Sequence, residues 1–230
     1  MGEKKKKEAA VKGWKKALFV IAAILFVVVM VVSSMGTNWI SGLAPIKAGD
    51  NVVLDYTLYD ATGTPFLTTN QQVYKEQAEK GVGMLFGKQL ILTANQSLKQ
   101  AIFPVQVYSP VEGGMYQEFA IYNPEYNLIS NAVVGMKANE KKKVSLQTGN
   151  AMTSMLTPED LAAVRVDMNS LQVGDSMLLG VSETPDASSG NTSAVSYVRL
   201  GQVARISDAG VVVEFGYPYA EITVVSFGNK

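Results

Sequence analysis

Neither histidine nor cysteine occurs among the 230 residues, so the chemistry open to this chain is narrow from the start. Without those side chains there can be no imidazole and thiolate zinc cluster, no Ser-His-Asp triad and no disulfide. No cofactor and no metal is expected. Stability has to come from packing, and function has to use carboxylates, ammonium groups, hydroxyls or apolar walls. Two groupings stand out. Met152, Met155, Met168 and Met177 fall among Leu156, Leu161, Leu171 and Leu178, and methionine-rich apolar surfaces adapt to varied partners. The same residues serve equally well as the core of a small unit. Lys141, Lys142 and Lys143 form a basic run that reads as a solvated strand edge rather than a binding patch.

The charges are unevenly spread. The 20 basic and 20 acidic residues cancel, yet Lys4, Lys5, Lys6, Lys7, Lys12, Lys15 and Lys16 all precede residue 17. Setting those aside with Glu3 and Glu8 leaves 13 basic against 18 acidic residues, a net charge of −5. A phosphate backbone demands a basic surface, so no nucleic acid partner is expected.

Residues 1–16 read as a basic stub. From Ala17 to Val32 every residue is apolar, and no charge appears before Lys47. A helix over 17–36 would extend about 30 Å, the thickness of a bilayer core. Lysines before the run place the N-terminus in the cytoplasm, and Trp14 and Trp39 fall near the two interfaces. The expectation is a single-pass cell-membrane protein with its folded domain extracytoplasmic; a cleaved signal peptide is the alternative. Asn95-Gln96-Ser97 and Asn191-Thr192-Ser193 match the glycosylation tripeptide, which also arises by chance in a chain of this composition.

Beyond the anchor the patterning is mostly β, within an α+β class. Residues 47–58 alternate, Asp60 to Gly63 forms a turn, and Pro65-Phe66 returns the chain as a hairpin. Asn70 to Lys80 is polar and helix-prone. Residues 81–123 carry short alternating pieces. Pro124 opens a helix that runs to Val134, with Gly135 as its stop. Lys141 to Leu146 resumes a strand. Thr157 caps a short helix, Met177 to Val181 is a strand, and residues 185–193 read as a flexible turn. Three β-type runs finish the chain: Tyr197 to Ile206, Val211 to Phe215 and Ile222 to Phe227.

Four segments in order resemble FKBP-type peptidyl-prolyl isomerases of the long archaeal, SlyD-like class. They are Val53 to Thr57 with Gly63 to Asn70, Ala132 to Lys142 with its Gly135-Met136 turn, Leu171 to Gly174, and Val211 to Ala220. The resemblance covers about residues 47–227. It implies a twisted antiparallel sheet around one short helix, with a core of 47–153 plus 212–229. A small β-rich, chaperone-like domain, 154–211, would be inserted in the flap. It also implies an apolar catalytic pocket. Tyr56 and Phe66 match the family's walls, while Leu67 stands where an aspartate is expected. Tyr126 and Ile129 replace an isoleucine and an aromatic floor, Val224 replaces a phenylalanine, and Asn150-Ala151-Met152 lacks the flap tyrosine.

Rotation about an X-Pro bond needs no nucleophile, because the barrier comes from amide resonance and an apolar pocket can favour the twisted amide. The missing histidine and cysteine therefore do not count against it. The partners implied are unfolded or proline-containing polypeptides, held in part by the insert, together with the membrane through the N-terminal helix. Two other readings stay open: a chaperone whose pocket has degenerated, and a structural or adhesive surface protein. They differ in one feature, since a structural module would fill the hollow over the 125–134 helix with its own side chains.

Overall fold

A computed structural model describes residues 20–31, 33, 44–81, 83–109, 114–147, 152–182 and 197–228. The chain divides into two compact units, Met1–Ala44 and Pro45–Lys230.

In the first unit, helix α1 spans residues 20–31 without a break. Its large apolar side chains are exposed, from 51% at Val29 to 63% at Phe26. Among the described residues no helix is long and apolar enough to cross a membrane. This overturns the expected span over 17–36. The single-pass cell-membrane localisation and the sidedness derived from it are withdrawn with it. Residues 17–19, 32 and 34–36 of the expected span lie outside the described residues.

The second unit is mostly β and is built on one curled, half-barrel sheet. Its strands are β1 Asn51–Tyr59, β2 Pro65–Thr68, β3 Leu85–Gly87, β4 Leu90–Thr93, β5 Ile102–Ser109 and β6 Met115–Tyr122, then β7 Lys141–Ser145, β8 Thr153–Leu156, β9 Ser176–Val181, β10 Tyr197–Ser207, β11 Gly210–Glu214 and β12 Tyr219–Gly228. Helices α2 Gln71–Glu79, α3 Asn123–Ala132 and α4 Pro158–Ala163 interrupt them. The sheet runs β7-β12-β1-β2-β3-β5-β6-β10-β11-β8, with β4 on the first half of β1 and β9 on β10.

Local chemistry explains the elements that frame the centre of this sheet. Alternation in β1 buries Val52, Leu54, Tyr56 and Leu58 on one face. Asp60 closes the following turn: its Oδ1 accepts from the amides of Thr62 and Thr64 at 2.9 and 2.8 Å, and Gly63 takes the positive φ of 81° that the turn requires. Asn70 caps α2 by accepting from the amides of Gln72 and Val73. Pro124 sits in the first turn of α3, and the Glu125 carboxylate accepts from the Tyr122 amide at 3.0 Å. The helix ends at Ala132 with Val133 as its C-cap, two residues before the expected Val134, and Gly135, φ 85°, follows in a turn whose amide donates to the Ile46 carbonyl. Strand β7 pairs only with β12 among the described residues, and its three lysines keep that edge charged.

The expected antiparallel sheet is corrected at two points. Strands β2 and β3 pair in parallel through Leu67 and Thr68, and β10 meets β6 in parallel at Val198 and Phe119. The second pairing carries the sheet from the core strands into the segment expected as an insert. Each side keeps its own apolar cluster, a large one under β1, β12 and α3, and a smaller one formed by Leu161, Met177, Val203, Val211 and Val213.

Candidate functional site

A cleft of about 460 Å³ opens where β2 and β3 face β9 and β10. Pro65 and Phe66 come from β2, Leu85 opens β3 with Met84 just before it, Leu178 comes from β9 and Leu200 from β10. Asp60, Thr64, Ser109 and Ser176 add polar groups at the margins. The volume lies within the range of sites that take a ligand, and an apolar wall with few polar groups is what such sites present.

An aromatic cluster backs Phe66 beneath the cleft. The Phe66 ring lies 4.4 Å from that of Tyr217 and 6.3 Å from that of Phe119. Tyr217 donates its hydroxyl to the carbonyl of Leu200 at 2.8 Å, which ties the wall residue to the floor. Burial raises the Tyr217 phenol well above its ordinary value. Behind Tyr217 lies Arg199, completely buried. Its guanidinium pairs with both carboxylate oxygens of Glu125, donates Nη1 to the Ala120 carbonyl at 2.7 Å and donates Nε to the Phe215 carbonyl at 2.8 Å. It also rests 4.4 Å from the Tyr122 ring and 4.3 Å from the Tyr217 ring. A buried charge with its donors shared in this way stays ionised and fixes everything it touches.

Of the six residues expected to form a pocket, only Phe66 borders this cleft. All six join the large core cluster instead, with Leu67, Ile129 and Val224 fully buried, and Tyr56, Phe66 and Tyr126 at 1%, 4% and 6% exposure. Tyr126 tilts against Phe103 at 5.0 Å. The Tyr56 hydroxyl has no hydrogen-bond partner among the described residues. A methyl placed on Gly87 would lie 3.3 Å from that hydroxyl and 3.4 Å from Cδ2 of Leu67. Burial raises the Tyr56 phenol strongly. A second cavity, about 220 Å³, is bordered by Tyr56 together with Asp55, Val73, Lys141, Glu221 and Ile222.

The methionines do not form one surface. Met177 is buried in the smaller core and Met168 packs against it, Met155 is half exposed, and Met152 lies beside Gly216. Lys142 donates to the Ala132 carbonyl at 2.9 Å, and the Lys143 ammonium sits 3.4 Å from the centre of the Tyr219 ring. Asn150-Ala151, the 185–193 turn and the Asn191 tripeptide lie outside the described residues; Asn95 is exposed in a turn with φ 56°. No group of carboxylates that could hold a metal occurs among the described residues.

Sequence reasoning missed the Arg199–Glu125 pair. Its signal was in the alternation of β10, which turns Arg199, Gly201 and Val203 to the inside, so that the arginine required an acid on the facing element. Glu125, at the start of α3, supplies it. Neither a search of protein-family models nor a search of curated proteins found a match to this chain.

Proposed function

We propose that this protein is a folding factor that binds segments of unfolded polypeptide in the cleft between β2–β3 and β9–β10, as a chaperone does. The observation that carries this reading is an open apolar cleft of about 460 Å³ on a floor held by Tyr217 and Arg199. A preformed apolar wall binds varied chain segments without ordering itself first, which keeps the cost of binding low. The core cluster fills the space over α3 that the resemblance assigned to catalysis, as a structural module would, so the client-binding reading rests on the separate cleft between β2–β3 and β9–β10.

Isomerisation in the same cleft is the second reading, favoured by Phe66. Its ring forms one wall of the cleft, and a desolvating aromatic wall is what a twisted prolyl amide requires.

The full-length protein is expected to suppress aggregation of a chemically denatured client at near-equimolar ratio, and Leu178→Asp is expected to weaken that suppression about tenfold, through a carboxylate set into an apolar wall. Cis/trans relaxation of a proline peptide, followed in the same preparation, decides the second reading. If neither aggregation nor relaxation changes, both readings fall.

A further inference from the structure

We infer that the cleft selects apolar client segments that carry a lysine or arginine immediately beyond the apolar run. This rests on the client-binding reading above and adds a specificity to it.

The cleft continues into a smaller hollow, with which it shares Asp60, Phe66, Ser176 and Leu200. The hollow adds Glu214. Among the described residues no lysine or arginine lines either space, so the two acids that border them share the lining with no cation. The Asp60 carboxylate is already fixed. Its Oδ1 is held by the Thr62 amide, the Thr62 hydroxyl at 2.6 Å and the Thr64 amide, while Oδ2 has no hydrogen-bond partner among the described residues. An ammonium or guanidinium reaching Oδ2 meets an acceptor that needs no ordering. Glu214 takes part in no ion pair among the described residues. The whole second unit adds a background in the same sense, since Lys47 to Lys230 carries 13 basic and 18 acidic residues.

Asp60→Asn isolates the charge from the turn. An asparagine Oδ1 accepts the same three hydrogen bonds, and only the anionic oxygen is lost. The experiment uses the full-length protein and three fluorescent peptides that share one run of leucine and phenylalanine, followed by two lysines, two glutamates or two serines. The expected result is an affinity order of lysine, serine, glutamate, with about fivefold between the first and the last at low salt. That ratio is expected to close as salt is raised, and to fall towards one in the variant carrying Asp60→Asn and Glu214→Gln. Equal affinity for the lysine and glutamate peptides overturns the inference and leaves the client-binding reading standing. Failure of all three peptides to bind overturns that reading as well. The salt dependence of the unaltered protein carries the test even if the double variant does not fold.

Discussion

Tyr56 shows how one residue's surroundings decide what it does. It enters the core from β1 on the buried phase of the alternation, and its hydroxyl ends beside Gly87 and Leu67 with nothing to bond. A buried hydroxyl without a partner costs about 1–3 kcal/mol. Tyr56→Phe is therefore expected to leave stability unchanged or to raise it by about 1 kcal/mol. The pH profile separates this from simple repacking. Burial raises the phenols of Tyr56 and Tyr217 above their ordinary value of 10.0. Above pH 10 the unfolded chain releases protons that the folded chain keeps, so the stability they support below pH 10 is lost as pH rises. Each tyrosine adds up to about 1.4 kcal/mol per pH unit to that slope. Urea unfolding between pH 8 and 11 is expected to show a steep decline, made shallower by Tyr56→Phe. An identical slope in the two proteins would mean that the Tyr56 phenol is hydrated in the folded state.

At the scale of elements, what the sequence disclosed followed from local rules. The alternation of β1, the Asp60 turn, Pro124 in the first turn of α3, and the lysine edge of β7 all depend on neighbours within a few residues. What stayed hidden depends on residues far apart. The parallel contact of Val198 with Phe119 joins segments 79 residues apart and leaves no trace in either strand's pattern. The six pocket residues were placed by resemblance, and all of them are apolar or aromatic. Such residues suit a pocket wall and a core equally, and only the three-dimensional packing chooses. The span over 17–36 was expected from composition and length, and among the described residues no helix is long and apolar enough to cross a membrane. Glycine gives the sharpest test at this scale. Gly210 has φ 136°, and a Cβ there would lie 2.2 Å from the Leu156 carbonyl oxygen. Gly174 has φ 98° with nothing within 4 Å. Gly174→Ala should cost about 1 kcal/mol of backbone strain alone. Gly210→Ala must also push β11 from β8 and should cost more than about 3 kcal/mol, read as a loss of amide-exchange protection confined first to β8 and β11. Equal costs at the two glycines would refute the close approach.

For the folded unit as a whole, the question is whether its two apolar clusters unfold together. Among the described residues the smaller cluster has five buried side chains and the larger twenty-five. Five side chains contribute too little to offset the backbone entropy of the segment that carries them, since each ordered residue costs about 1–2 kcal/mol. The smaller cluster must therefore draw stability from the sheet that runs through β6 into β10, and from Arg199, which crosses that junction to reach Glu125, Ala120 and Phe215. Residues 45–230 are expected to unfold in urea as one transition, with backbone circular dichroism and tyrosine fluorescence coincident. Arg199→Met leaves Glu125 as a lone buried carboxylate and is expected to cost about 3–5 kcal/mol. It should also separate the two signals, because the smaller cluster loses its tie before the larger core melts. Adding Glu125→Gln removes the lone charge while keeping an acceptor for the Tyr122 amide, so the double variant should recover part of the loss. Two transitions in the unaltered protein, or an Arg199→Met variant as stable as its parent, would mean that the junction does not couple the clusters and that the cleft floor is held by packing alone.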